Sequence, residues 1–576
     1  MIIFILILSF IAQLTCHVVE VKTSHGVLKG VKLKKSAHVT QFLGVPYALP
    51  PIKNLRFKRP EPLPDNYYGK GFAANKLAKA CMQPERVAKF AGYDDWYPKK
   101  SDMSEDCLQF NMWVPEVNYK SVIVFFFGGQ YTYGSPSIKF FNGSELAHHT
   151  NSIVLVVGYR LGVFGFAYYM GHKKFGINGN LGLLDQQLAL KWVQNNIEYF
   201  DGDKKKVTII GHGSGGAMAT AHLYSIGSHK LFKRIIALSG TINNKWAVSK
   251  TRYVEKNFKQ LIKKLNCTNS FWFYEIKCMQ YVKASNIIKE VGFIDDKHQS
   301  FFSAPFIPVD MDKVFFKGNV KILFRRNVIS KSKIDILFGR TSEEGSLFMP
   351  FFLDDSVYGC RLNLKKKMTD KTNQCNMDEK QFRQAVKLIS TDYGLTKDAR
   401  NRLLDVYSDP EEEPLRNKTI RIITDLYFHC SIDEFAEQFY KNVQGKKYIY
   451  TYKQRSTANP WPEWMGAMHG YDLLYIFGWP FRSPGYYNRK GMKREIMHTL
   501  NIMDVINGFV KNGSIEQNVK QMYKTINDIK GLGRKIVVKK VNRNYFLSET
   551  KCDTIKRIQY SYRVNDDSSS GQIYYD

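Results

Sequence analysis

Short runs of β-branched and aromatic residues alternate along the chain with stretches of helical periodicity. That pattern predicts a mainly parallel sheet with helices on its faces. Residues 122–127, 153–157, 207–210, 235–238, 334–338 and 448–452 read as strands. Residues 185–199 place Leu188, Leu190, Trp192, Val193 and Ile197 at roughly helical spacing and are expected to form an amphipathic helix. After strand 207–210 comes Gly211-His212-Gly213-Ser214-Gly215-Gly216, then a helix-forming stretch, 217–224. Strand, glycine-rich turn and helix, in that order, are the setting of a nucleophile elbow. No repeat, linker or low-complexity stretch divides the chain, so one large α/β domain is expected.

Composition agrees with a folded chain, since 44% hydrophobic and 14% aromatic residues over 576 positions supply a large core. Residues 1–16, MIIFILILSFIAQLTC, are apolar and short for a membrane span. They read as a signal peptide, with an N-terminal anchor as the other reading. No later stretch holds about twenty apolar residues free of charge. The end, DDSSSGQIYYD, has no GPI-type hydrophobic tail. A secreted, extracellular protein follows, with its domain over 17–565 and a polar tail over 566–576.

Cysteine usage fits export. Of nine cysteines, Cys16 leaves with the signal peptide. Cys81, Cys107, Cys267, Cys278, Cys360, Cys375, Cys430 and Cys552 form an even set suited to four disulfides, and spacing leaves their connectivity open. Asn142, Asn266, Asn417 and Asn512 head glycosylation sequons. The formal net charge of +32 bears on partners and solubility rather than fold. It reads either as a lysine-rich solvated surface or as attraction to polyanions such as a glycosaminoglycan or an anionic membrane. No nucleic-acid motif is present, and neither a cofactor nor a metal is expected.

Several longer motifs carry a family resemblance. FLGVPYALPPIKNLRFKRPEP (42–62), SEDCLQFNMWVP (104–115), YRLGVFGF (159–166), NLGLLDQQLALKW (180–192) and WPEWMGAMHGYDLLYIFGW (461–479) resemble blocks of the cholinesterase/type-B carboxylesterase family. The resemblance spans roughly residues 20 to 560. It implies the α/β-hydrolase fold and the pairs Cys81–Cys107, Cys267–Cys278 and Cys430–Cys552. Cys360 and Cys375 are left as an extra pair without family support. Arg56 and Glu105 resemble the family's buried ion pair.

The same resemblance implies a serine esterase site with one member missing. Its triad runs Ser, Asp/Glu, His in chain order. His469 stands at the family's histidine and Glu344 at its acid, with neighbouring Glu343 as the less favoured acid. The serine position is Gly213, which has no nucleophile, and His212 replaces the acidic residue common just before it. Ser214 is the alternative, displaced nucleophile. It sits one residue late, where the backbone N–H normally serves the oxyanion hole and the side chain turns away. The oxyanion run reads Phe127-Gly128-Gly129-Gln130-Tyr131. It offers donors from Gly129, Gln130 and Ser214, but glutamine replaces a glycine, and one lost donor costs about 100- to 1000-fold in rate.

For the pocket, Trp96 resembles the indole on which cholinesterases stack a quaternary ammonium. Trp246, Phe302 and Phe348 are assigned to the pocket wall. Ala304 and Leu347 stand where aromatics are common, and Arg86 where the rim carries an aspartate. These features predict an apolar pocket with weakened preference for cations. The leading expectation is a catalytically inactive, secreted cholinesterase-like protein that binds a ligand or a protein. The alternatives are a choline or carboxylic ester hydrolase using Ser214, and a secreted polyanion-binding protein. Partners left open are a small ester or choline-like ligand, a protein, an anionic glycan and a second copy of the chain. No nucleic acid and no transmembrane anchor are expected.

Overall fold

The computed structural model describes residues 18–33, 38–172, 175–294, 301–302, 304–326, 328–329, 333–528, 535–542, 545 and 551–558. The expected signal peptide (1–16) and polar tail (566–576) lie outside the described residues. One twelve-stranded sheet organises the chain. Its strands are β1 (Val18–Thr23), β2 (Gly26–Lys32), β3 (Val39–Pro46), β4 (Gly69–Ala73), β5 (Gln109–Pro115), β6 (Lys120–Phe126), β7 (Ser152–Val157), β8 (Gly202–His212), β9 (Arg234–Leu238), β10 (Asp335–Thr341), β11 (Lys447–Tyr452) and β12 (Ile536–Lys540). Across the sheet the order is β1-β2-β3-β5-β7-β6-β8-β9-β10-β11-β12, with β4 beside β2. From β7 to β11 the neighbours run parallel. Antiparallel pairs extend both ends.

The apolar pattern follows from this placement. KSVIVFF of β6 and SIVLVV of β7 are buried along their whole length, as strands covered on both faces must be. β8 begins at Gly202, five residues before the expected start. Its opening residues, Asp203 to Lys206, are polar and partly exposed, which hides them from a hydrophobic pattern.

Two helices matter below: α1 (Leu181–Asn196) and α2 (Ser214–Ala221). The expectation of an amphipathic helix over 185–199 needs correction. α1 starts four residues earlier, ends in a 3-10 turn over Ile197–Phe200, and buries Asp185, Gln186, Gln187 and Asn196 along with its apolar residues. Each buried polar group has a partner. Gln187 donates to Ser225 and Ser228, Gln186 donates to the Met218 sulfur, and Asn196 accepts from Ser24. Asp185 takes a bidentate ion pair from Arg160, with Nε and a terminal nitrogen at 2.9 and 2.7 Å. Arg160 and Asp185 come from two of the family-like motifs, 159–166 and 180–192, so this ion pair is one of the contacts that join those motifs in space.

Four disulfides close the described chain. Cys81–Cys107, Cys267–Cys278 and Cys430–Cys552 pair as the resemblance implied, and Cys360–Cys375 is the fourth. Arg56 pairs with Glu105 through two bonds of 2.6 and 2.7 Å. Among the sequons, Asn266 and Asn512 are exposed, while Asn142 and Asn417 are half-buried. No described helix is long and apolar enough to cross a membrane.

Candidate active site

β8 ends at His212 and α2 begins at Ser214, so Gly213 alone makes the turn. Its backbone lies at φ 55° and ψ −120°, a region that glycine enters freely and other residues enter under strain. The Gly213 N–H donates to the Leu238 carbonyl at 2.8 Å, and its own carbonyl accepts from the Ala217 N–H at 3.0 Å. The turn is thus pinned on both sides. A Cβ added at Gly213 would lie 3.0 Å from His469 Nε2, and within 4 Å it would meet only that ring. The imidazole faces the place where a side chain at 213 would begin.

His469 is held from behind. Its Nδ1 lies 2.6 Å from Glu344 Oε2. The other Glu344 oxygen accepts from the Ser239 hydroxyl at 2.6 Å and the Thr341 N–H at 2.7 Å. Burial opposes the Glu344 charge, but His469 beside it, then His429 and the Ser239 hydroxyl, bring the carboxyl down to about 2. Neighbouring Glu343 does not bond the imidazole. It accepts from the Ala467 N–H at 2.8 Å and so anchors the loop that delivers His469. A carboxyl lowered in the folded state stabilises the fold above its unfolded pKa, near 4.3, and that contribution is lost as pH falls through about 2. Glu344→Gln should therefore be less stable than the parent at neutral pH. The gap, read by chemical denaturation, should narrow steadily as the pH is lowered below ~4.

The oxyanion run folds as a tight turn. The Gly129 carbonyl accepts from the N–H groups of Thr132 and Tyr133, and a Cβ at Gly129 would meet the Tyr133 carbonyl oxygen at 2.2 Å. Gln130 and Tyr131 both take left-handed φ values, 53° and 61°. Among the described residues, no hydrogen bond engages the N–H of Gly129, Gln130 or Ser214. The Ser214 hydroxyl accepts from the Tyr131 N–H at 3.3 Å. It therefore faces the oxyanion turn.

Rings enclose His469. His212 lies 4.4 Å from it between ring centres, Phe428 5.0 Å and Phe348 5.2 Å. His212 is buried and, among the described residues, its Nε2 has no hydrogen-bond partner. Burial first, and the neighbouring His469 second, keep it neutral by holding its pKa well below the ordinary histidine value. Phe302 packs on Phe348 at 4.5 Å and on Tyr427 at 4.3 Å. Trp246 donates its indole N–H to the Tyr427 carbonyl at 2.9 Å and sits 6.1 Å from Phe428. The structure thus brings Trp246, Phe302 and Phe348 into one wall. Ala304 and Leu347 are half-buried at its edge. The sequence gives no sign of Phe428 and Tyr427. Both lie in a π-helical turn, Asp425–His429, a form of backbone frequent at functional sites but without a sequence pattern of its own. Ser239, with φ 52°, is equally unmarked in the sequence.

Trp96 belongs to a second group of rings, Phe140, Phe141 and Tyr471, at 4.7, 6.1 and 5.7 Å. Beside it, Lys139 pairs with Asp95 at 2.6 Å and lies 5.3 Å from Phe140. Arg86 lies 3.9 Å over the Tyr133 ring and 5.8 Å from Tyr97, and donates to the Tyr93 hydroxyl at 2.6 Å. Among the described residues it has no carboxylate partner. Tyr133 closes the Gly129 turn, so this cage stands next to the oxyanion run. The chain's own cations already occupy aromatic surfaces around Trp96.

Chemically, the Glu344–His469 pair can accept a proton at Nε2, but position 213 supplies no hydroxyl to give one. Among the described residues no group of three or more His, Cys, Asp or Glu side chains is arranged to hold a metal ion.

Comparison with known proteins agrees with the fold. Residues 17–555 match the model of the carboxylesterase family. The chain is 31% identical over 540 residues to acetylcholinesterase 4 of Caenorhabditis briggsae, covering 88% of this chain and 85% of that protein. It is 32% identical over 490 residues to the cholinesterase of Mus musculus, covering 83% and 77%, and 30% identical over 488 residues to the acetylcholinesterase of Bungarus fasciatus, again covering 83% and 77%. A sheet ordered around an elbow at residue 213, a Glu–His pair facing it and a match over nearly the whole length lead to one conclusion: the chain belongs to the carboxylesterase family, on its cholinesterase-like side.

Proposed function

We propose that this protein is a secreted, cholinesterase-like binding protein that does not hydrolyse esters. The observation that carries the reading is Gly213, which holds the elbow conformation opposite His469 and has no attacking atom. The displaced-nucleophile reading is disfavoured by the Ser214 hydroxyl, which is engaged by Tyr131 and buried. Glu344 and His469 are assigned as a residual catalytic pair, Gly129, Gln130 and Ser214 as a residual oxyanion hole, and Trp96, Trp246, Phe302 and Phe348 as ligand contacts. Four disulfides suit an extracellular setting. The test is turnover of acetylthiocholine and naphthyl acetate, with covalent labelling by an organophosphonate. Both should match a denatured control. Turnover that disappears in Ser214→Ala would replace this reading with the displaced-serine one.

The pocket's preference for a choline-like cation is weakened. Arg86 sits on the rings beside Trp96 with no carboxylate partner among the described residues, so a cationic ligand meets its charge there, whereas Lys139 is balanced by Asp95. Choline and tetramethylammonium should bind weakly by calorimetry. Arg86→Asp should strengthen that binding about tenfold, the scale of freeing one aromatic face for a cation and replacing repulsion by attraction. Unchanged cation binding in Arg86→Asp would remove Arg86 from the specificity argument.

A further inference from the structure

Several polar groups meet at the elbow without partners. Among the described residues, no hydrogen bond engages the N–H groups of Gly129, Gln130 and Ser214, or Nε2 of His469. The three N–H groups belong to neighbouring turns, because the Ser214 hydroxyl accepts from the Tyr131 N–H. Ser214 opens α2, so its N–H also carries the positive end of that helix. Gly213 leaves the space before His469 open. Apart from its adjoining residues, a Cβ built there would meet only the imidazole within 4 Å. Beside that ring, at 4.4 Å, buried His212 adds another nitrogen, Nε2, unpartnered among the described residues. Gly129, Gln130 and His469 are half-buried, so a ligand can reach them from solvent.

The acids near this place are engaged elsewhere. Glu344 bonds the far nitrogen of His469, and Glu343 holds the Ala467 N–H. Asp472 accepts from the Tyr450 hydroxyl, and Asp392 from the Tyr427 hydroxyl and the Phe301 N–H. Asp95 pairs with Lys139, and Glu85 with Lys100. Arg86, over the Tyr133 ring that closes the Gly129 turn, has no carboxylate partner among the described residues. Donors, helix end and free cation together favour an anion. The wall narrows its kind. Phe348 and Phe428 flank His469, and Phe302 packs on Phe348, so the anion needs an apolar tail. An ester would give its carbonyl to the N–H groups and offer Nε2 only a weak alkoxy acceptor. A carboxylate has a strong acceptor for each side.

We propose that the elbow binds a free monocarboxylic acid with an apolar tail. One oxygen takes the N–H groups of Gly129, Gln130 and Ser214. The other takes Nε2–H of His469, in the space that a serine hydroxyl at 213 would fill. The tail lies on Phe302, Phe348 and Phe428. The acid's O–H bond breaks, its proton forms an N–H bond at Nε2, and no other bond changes. An imidazolium then stands between the ligand and Glu344. This assignment rests on the non-hydrolytic reading above, since a serine there would claim the same nitrogen.

Calorimetry on the full chain tests it. Hexanoate and phenylacetate should bind at least about tenfold more tightly than hexanamide and phenylacetamide, because charge-assisted hydrogen bonds are roughly twice as strong as neutral ones. Gly213→Ser should lower the affinity for the acids at least about tenfold, as its hydroxyl takes the place of one ligand oxygen. The comparison of acids with amides needs only the parent, so it stands even where the variant is unstable. Acids that do not bind the parent, or bind no better than their amides, would overturn the proposal. So would a folded Gly213→Ser protein with the parent's affinity. In each case, a parent that also hydrolyses no ester keeps its non-hydrolytic reading. Ester turnover lost in Ser214→Ala would instead overturn that reading, and this assignment with it.

Discussion

Gly213→Ser should gain covalent phosphonylation at residue 213, and turnover of simple esters at least about 100-fold above the parent. The added Cβ starts 3.0 Å from His469 Nε2, a close approach that requires the ring to yield by a few tenths of an ångström. His469 has little room, because Glu344 bonds it from behind and His212, Phe348 and Phe428 surround it. The left-handed backbone at 213 adds about 1–2 kcal/mol of strain for any residue with a Cβ. The variant should therefore be less stable and modestly active. Adding Gln130→Gly should raise activity further. Position 130 also has a left-handed φ, 53°, so glycine relieves strain there and opens space beside the oxyanion donors. A folded double variant that neither labels nor turns over any ester would end the reading of Glu344 and His469 as a residual catalytic pair.

Asp185→Ala should cost about 3–5 kcal/mol of stability, the largest single loss expected outside the disulfides. Asp185 is wholly buried and Arg160 almost so. The carboxylate accepts from the Arg160 N–H and from two guanidinium nitrogens. Removing the acid strands a guanidinium in the core, and urea denaturation should report the loss. Replacing both partners, Arg160→Met with Asp185→Leu, should recover much of it, because the unpaired charge rather than the lost attraction dominates. The exposed pair Lys29–Glu20 gives the contrast, at less than about 1 kcal/mol.

The sheet centre is legible in the sequence because buried parallel strands are continuous apolar runs. β6, β7, β9 and β11 begin within two residues of expectation. The strands β1, β2 and β4 carry no such signature, and the buried runs of β3 and β5 are interrupted by Thr40, Gln41 and Asn111. β1 alternates exposed with half-buried positions, β2 mixes half-buried with buried ones, and both contain lysines, which dilutes the hydrophobic signal. The periodicity of α1 locates the helix but not its burial. Ion pairing and hydrogen bonding let polar side chains face inward, and a hydrophobic pattern is blind to partners far along the chain. At the site, motif order marks Gly213, Glu344 and His469 on three separate loops, and the fold brings those loops together. The cage around Arg86 leaves no trace in the sequence. Tyr93, Tyr97 and Tyr133 come from two segments, and nothing local marks them as neighbours.

The rings around His469 bear on how such a protein arises. Glycine in place of a serine at the elbow lacks one hydroxyl and relaxes a strained turn, so such an exchange carries almost no structural penalty. The histidine and glutamate have no such exit. One fills space among His212, Phe348 and Phe428, and the other satisfies Ser239 and Thr341 in the dry interior. On the proposed reading, in which this chain hydrolyses no ester, packing alone is reason enough to keep the histidine and the glutamate, and a search for inactive relatives should weigh the elbow residue above its two companions.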